Sequence, residues 1–137
     1  KYITQFDGIF NIHTFCCFKK LDTALDAIAE LNPRWMAFNS LFYDGPLDVL
    51  IHIRDNNHPN DNDPDGDFNT FSLPKLQKYL ADKGYADFKV QKFQMPIDLP
   101  RPADHSRGTY TIKTEFDNRA MFSGPVYLPW YFVYAGK

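Results

Sequence analysis

The sequence predicts an α/β fold, a sheet with helices and an added β-hairpin, and three observations carry that expectation. Strand-like, helix-like and again strand-like segments follow one another between Phe6 and Phe42, the pattern of a βαβ unit. The first of them, FDGIFNIHTF from Phe6 to Phe15, is a near-continuous apolar run, as in strands covered on both faces. A second helical segment with strong start and stop signals, Ser72 to Gly84, leads into another strand.

The elements can be justified in order. Ile9, Phe10 and Ile12 make the first strand apolar on both faces, and such a strand needs neighbours on both sides. The later elements supply one side, so the chain, which opens at Lys1 without a methionine, reads as a fragment entered mid-fold. LDTALDAIAELN places Leu21, Leu25 and Ile28 on one helical face, with Asp22 as the cap and Asn32-Pro33 as the stop. WMAFNSLF, Trp35 to Phe42, is the second strand, reached by a crossover expected to be right-handed. LDVLIHIR, Leu47 to Arg54, alternates and predicts a half-exposed strand. Asp55 to Asn69 is polar and turn-rich, with five aspartates and neither lysine nor arginine, and reads as an acidic loop.

Ser72 then caps a helix with Pro74 in its first turn, Leu73, Leu76 and Leu80 facing inward and Gly84 as a left-handed stop. DFKVQKFQM, Asp87 to Met95, is strand-like through Phe88, Val90 and Phe93, and Pro96 ends it. A proline-rich link to Pro102 precedes TYTIKTE and RAMFSG, which flank Phe116-Asp117-Asn118 and predict an inserted hairpin from about Thr109 to Ser123. YLPWYFVYAGK supplies the last strand. No internal repeat is visible, and residues 1–137 read as part of a single domain.

Composition narrows the function classes. With 137 residues, 44% apolar and 17% aromatic, the chain can bury a sizeable core. The net charge of -2 and the lack of any basic run beyond Lys19-Lys20 argue against nucleic acid as a partner. No apolar stretch approaches the roughly 20 residues that span a bilayer, which argues against a membrane partner. Adjacent Cys16 and Cys17 form neither a disulfide framework nor a spaced metal pair, and a reducing cytoplasm is the simplest setting.

Taken in order, FDGIFNIH, the loop TFCCFKKLD, its helix, the strand at Trp35–Phe42, FNTFSLPKLQKYLADKGY and the final DFKVQKFQM with YFVYAGK resemble the C-terminal part of a class I S-adenosylmethionine-dependent methyltransferase. The resemblance begins near the fourth strand of the family's seven-stranded Rossmann-like sheet and runs over most of the chain. GTYTIKT and SGPVYLPWYF resemble a subgroup that carries the extra hairpin. The family implies an antiparallel final pair of strands. Its glycine-rich turn after a first strand and its acidic residue ending a second have no counterpart here, so this chain alone is expected to bind S-adenosylmethionine weakly or not at all.

Ligands of open α/β sheets lie beyond the carboxyl ends of the strands, which favours Asn11, Ile12, His13 and Thr14 as cofactor-edge residues. His13 is either a base for an acceptor proton or, the favoured reading, a positioning residue, because methyl transfer from a sulfonium depends chiefly on in-line placement. Phe15 and Phe18 are candidates to pack on the adenine or face the sulfonium, with a core role as the commoner alternative. Lys19 and Lys20 read first as a solvated helix entrance, and Cys16 and Cys17 as buried small hydrophobes. Phe42 and Tyr43, with Asp44, are substrate-pocket candidates after the second strand.

Tyr110 and Tyr131, with Tyr127 and Trp130, either wall a substrate or fasten the hairpin; the two are balanced for Tyr110, and fastening is favoured for Trp130. Asp61, Asp63, Asp65 and Gly66 match half of a calcium loop, but Ser72 stands at its twelfth position and Pro64 interrupts it. A solvated loop is favoured there, and neither His52 nor His58 has ligand spacing, so no metal is expected. The leading expectation is a methyltransferase fragment that uses S-adenosylmethionine and a small-molecule acceptor. A non-catalytic α/β ligand- or protein-binding module is the alternative, and a calcium-dependent module is a weaker third. An unfinished sheet exposes an edge and an apolar face, so homo-oligomerisation is expected as well.

Overall fold

The structure, a computed structural model, describes residues 6–56, 65–104 and 107–137. β1 (Gly8–Ile12) and β2 (Trp35–Tyr43) pair in parallel from Gly8 opposite Trp35 to Ile12 opposite Asn39, and α1 (Leu21–Glu30) joins them. Gly8 lacks a side chain where the Trp35 indole lies against it; a Cβ there would meet the ring at 2.0 Å. Leu21 and Leu25 bury the inner stripe of α1. Lys20, not Asp22, occupies the N-cap position, and no side chain caps it. Helical geometry already begins at Leu21, so Asp22 lies in the first turn, where its carboxylate faces the positive helix end instead of capping it.

α2 (Leu73–Asp82) is closed at both ends. Ser72 Oγ accepts from the Lys75 N–H at 3.2 Å, while Asp48 accepts from the Ser72 N–H at 2.8 Å and from Lys75 Nζ at 2.9 Å. Gly84, at φ 90°, turns the chain back. Tyr85 is then buried, and its hydroxyl donates to the Pro33 carbonyl at 2.9 Å, tying the ends of both helices together.

β6 (Asp87–Lys92) follows, but its neighbour is the last strand, β10 (Trp130–Gly136), which runs antiparallel to both β2 and β6. The order across the sheet is β1-β2-β10-β6, with β5 (Phe71–Ser72) pairing with the end of β2. A ribbon of β3 (His52–Arg54) and β4 (Asp65–Asp67) and a small sheet of β7 (Thr109–Ile112), β8 (Ala120–Ser123) and β9 (Val126–Tyr127) complete the architecture.

Two cores result. Phe15, Leu25, Met36, Phe38, Phe42, Leu76, Leu80 and Val133 fill the space between the main sheet and the helices. Cys16, Leu41, Met121, Leu128 and Trp130 pack the opposite face at one end, beneath the small sheet.

Several expectations change. β1 is covered on one face only: Phe10 is 56% and Ile12 54% exposed, because both described helices pack on the other face. Of Leu47–Arg54 only His52–Arg54 is strand, since β4 offers three partner residues; Val49 makes a lone bridge to Thr70, and Leu47 and Leu50 are exposed. The acidic loop contains β4, while Asp61, Asp63 and His58 lie outside the described residues. Leu128-Pro129 divides the last segment, sending β9 to the small sheet and β10 to the main one.

Asn69 is the buried knot between these parts. Its N–H donates to the Cys16 carbonyl at 2.8 Å and its Nδ2 to the Phe18 carbonyl at 2.9 Å, and its Oδ1 accepts from the Ile51 N–H at 3.0 Å. Asn69→Ala leaves two backbone groups without their partner and is expected to cost about 3 kcal/mol in urea unfolding; a loss below about 0.5 kcal/mol would show that Asn69 is dispensable.

Candidate functional site

The candidate site begins where β1 ends. The His13 N–H donates to the Asn39 carbonyl at 2.8 Å, extending the β1–β2 ladder by one step, and the backbone then turns through φ 58°. A side chain in this left-handed region carries strain that its surroundings must hold, and histidine is among the residues found there more often. The turn lays the imidazole on the Trp130 indole at the start of β10, with ring centroids 4.2 Å apart and 26° between planes. Below it, the Thr14 hydroxyl donates to the Ile12 carbonyl at 3.0 Å and the Cys16 thiol to the His13 carbonyl at 3.4 Å.

Beside this stack opens a cavity of about 610 Å³. Ile12, His13 and Asn39 form its sheet side, and Phe93 and Met95 enter from the segment following β6. Trp130 and Phe132 come from β10, Thr109 and Met121 close it from the small sheet, and Leu128 from the link between β9 and β10. β6 runs parallel to β1, so the cavity sits beyond the carboxyl ends of both, where open α/β sheets bind ligands. Among the described residues its polar side chains are His13, Asn39 and Thr109, and no acid, lysine or arginine lines it. Asn39 donates through Nδ2 to the Tyr131 carbonyl at 3.1 Å, which leaves its amide oxygen as the acceptor.

The small sheet is fastened over the site by an ion pair. Lys92 Nζ lies 2.8 Å from Asp117 Oδ2, and the Asp117 side chain is 8% exposed. The bond to Lys92 holds the Asp117 carboxyl below its ordinary range against the opposing effect of burial, and the Arg119 N–H adds to it at 3.0 Å. Asp117 in turn raises the Lys92 ammonium. The Thr111 N–H donates to the Leu99 carbonyl at 3.1 Å, joining the proline-rich link to β7.

The expected site residues separate. Ile12 and His13 reach the cavity. Asn11 points to the helix-covered face, where its Oδ1 is buried with no hydrogen-bond partner among the described residues. Thr14 and Phe18 are exposed beside the loop, but Phe15 is 1% exposed and packs on Phe38 with ring centroids 4.8 Å apart, so it belongs to the core and cannot meet a cofactor. Phe42 is wholly buried among the helices and is likewise excluded from a substrate wall. Tyr43 is exposed.

Tyr110 is a fastener: buried, stacked on Phe122, its hydroxyl donating to the Gly124 carbonyl at 2.6 Å. Tyr131 packs against the helix-side core, and burial, with Asp44, raises its hydroxyl. Burial, with Cys17 adding, pushes the Cys16 thiol up to about 11, which removes it as a nucleophile at neutral pH. Both cysteines are free. His52 Nδ1 lies 3.0 Å from Asp67 Oδ1, and no metal-holding cluster of His, Cys, Asp or Glu occurs among the described residues.

Trp130 is buried beneath the small sheet with Met121, Val126 and Leu128, as the favoured fastening role requires, and its ring also stacks on His13 and lines the cavity. Asn39, Phe93, Met95, Thr109 and Met121 had no local signal to find them. Comparison with protein-family models, curated proteins and solved structures returned no match in any of the three. Among the described residues no helix is long and apolar enough to cross a membrane.

The fastening pair has a pH signature. A carboxyl whose folded pKa is depressed gives stability present above its ordinary value, about 3.9, and lost as pH falls through the lower folded value. The raised Lys92 gives stability fully present below about 10.4 and lost as pH rises through its higher folded value. Asp117→Asn is therefore expected to cost about 1 to 2 kcal/mol near neutrality and little once the carboxyl is protonated in acid. Thermal unfolding of both proteins at pH 7 and pH 2 checks this, and an equal deficit at both would contradict it.

Proposed function

We propose that this chain is the C-terminal part of a class I S-adenosylmethionine-dependent methyltransferase acting on a small-molecule acceptor in the cytoplasm, with neither nucleic acid nor membrane as partner. The observation that carries the reading is the reversed β10 inserted between the parallel strands β2 and β6. It supplies the antiparallel final pair that the resemblance implies, with α1 joining β1 to β2 and α2 preceding β6. The cavity at the carboxyl ends of β1 and β6 supports the same reading.

S-adenosylmethionine, when bound, supplies an electrophilic methyl group. The residues present fit one edge of it: His13, Thr14 and Phe18 are exposed along the loop, while Phe15 is committed to the core. The chain's own contribution is to enclose the acceptor in a hydrocarbon-lined space, exclude water and hold its nucleophilic atom beside His13. A second reading, a non-catalytic ligand-binding module, draws on the apolar lining and the His13–Trp130 stack, which require no chemistry.

Calorimetric titration of S-adenosylmethionine and of its demethylated product into the full-length protein and into residues 1–137 decides between them. Binding by the full-length protein alone is the expected result; binding by neither would overturn the reading and bring the binding module forward. If His13 is the base, His13→Ala in the full-length protein lowers turnover by about 100-fold with little loss of donor affinity. Equal losses in both would assign it to positioning.

In this reading the bare face carrying Phe10 and Trp35 is where the fold's remaining layer packs. Residues 1–137 by themselves are then expected to self-associate through it. A monodisperse monomer in light scattering would contradict that expectation.

A further inference from the structure

We infer that the cavity beside His13 takes an uncharged aromatic alcohol, its ring against the hydrocarbon wall and its hydroxyl directed to His13 and Asn39. The reaction that follows rests on the methyltransferase reading; the ligand class rests on the cavity itself.

Three features select this class. The first is charge: among the described residues no ionised side chain lines the cavity, and a carboxylate or phosphate there would be desolvated without a counterion from them. The guanidinium of Arg107 lies 5.5 Å from the ring of Phe68, a lining residue, and is not itself part of the lining. The second is size: about 610 Å³ falls in the range that encloses most of a small organic molecule. The third is shape: Trp130, Phe93 and Phe132 present ring faces and edges, and Phe93 meets Phe132 edge-on at 5.9 Å, an arrangement that accepts another aromatic ring.

The polar groups then fix orientation. His13, Asn39 and Thr109 are the hydrogen-bonding side chains of an otherwise apolar lining, so one polar substituent of the ligand is satisfied there and an apolar ring fills the remainder. The strained turn at His13 is what delivers the imidazole to this position. Bound beside this site, S-adenosylmethionine would supply its methyl group to the acceptor oxygen and leave as the neutral thioether, while His13 and Asn39 would orient the hydroxyl and His13 is the lining group placed to take up its proton.

The test titrates 2-naphthol, naphthalene and 2-naphthoate, without methyl donor, into residues 1–137. Binding is read by calorimetry and by the indole N–H resonances of Trp35 and Trp130. The expected result is 2-naphthol tightest, naphthalene about fivefold weaker for want of the hydroxyl and naphthoate at least about tenfold weaker. The Trp130 resonance moves and that of Trp35, on the bare face, stays. Thr109→Trp, an exposed substitution that narrows the cavity, is expected to weaken 2-naphthol at least about tenfold with an unchanged circular dichroism spectrum. Naphthoate binding as tightly as naphthol, a shift of Trp35 in place of Trp130, or no naphthol binding would each overturn the inference. Because no donor is present, such a failure is separate from a failure to bind S-adenosylmethionine, which would remove the methylation step alone.

Discussion

The structure depends on one insertion: β10 hydrogen-bonds along both of its edges, to β2 and to β6, and closes the main sheet with the last residues of the chain. Side chains alternate across a strand, so this single register assigns every residue of β10 to a layer. Val133 and Ala135 enter the helix-side core, while Trp130 and Phe132 face the other way, toward the small sheet and the cavity. A slip of one residue would turn Trp130 into the helix layer and remove the surface on which His13 rests. The proline at 129, which lacks an N–H, separates β9 from β10 and allows one continuous segment to serve two sheets.

The second constraint is the short 3-10 turn at Phe15–Cys17. Neighbouring residues there go to different cores, Phe15 beneath the helices and Cys16 beneath the small sheet, so the loop is anchored from both sides of the main sheet. Asn69 adds bonds to the carbonyls of Cys16 and Phe18. These attachments explain how a histidine can be kept in the left-handed region: the strain at His13 is local, whereas the packing that holds it involves both cores.

The two faces of the main sheet then acquire different uses. One is filled by the helices. The other is divided, with the small sheet covering one end and leaving aromatic and aliphatic side chains uncovered at the other, from Trp35 and Phe10 to Phe132. The cavity lies at the boundary, where the small sheet approaches the carboxyl ends of β1 and β6 without filling the space between. Its hydrocarbon lining and its few polar groups follow from that position.

Much of the local structure was legible in the sequence. Ser72, Pro74 and Gly84 mark α2 through capping and left-handed geometry, the heptad-like spacing of Leu21, Leu25 and Ile28 marks α1, and turn residues around Asp117 mark the β7–β8 pair. These signals are local because hydrogen-bond closure and side-chain period act over a few residues. The position of His13 at the end of a parallel strand was legible as well, and the structure sets its ring in the lining of the cavity. Tertiary structure alone decided that β1 is bare on one face among the described residues, that Phe15, Phe42 and Tyr110 are packing residues, and that the His13 ring rests on Trp130. The physical reason is that periodicity shows which residues share a face and not what covers it. That depends on residues far apart in the chain, such as His13 and Trp130, which only the closure of the sheet brings into contact.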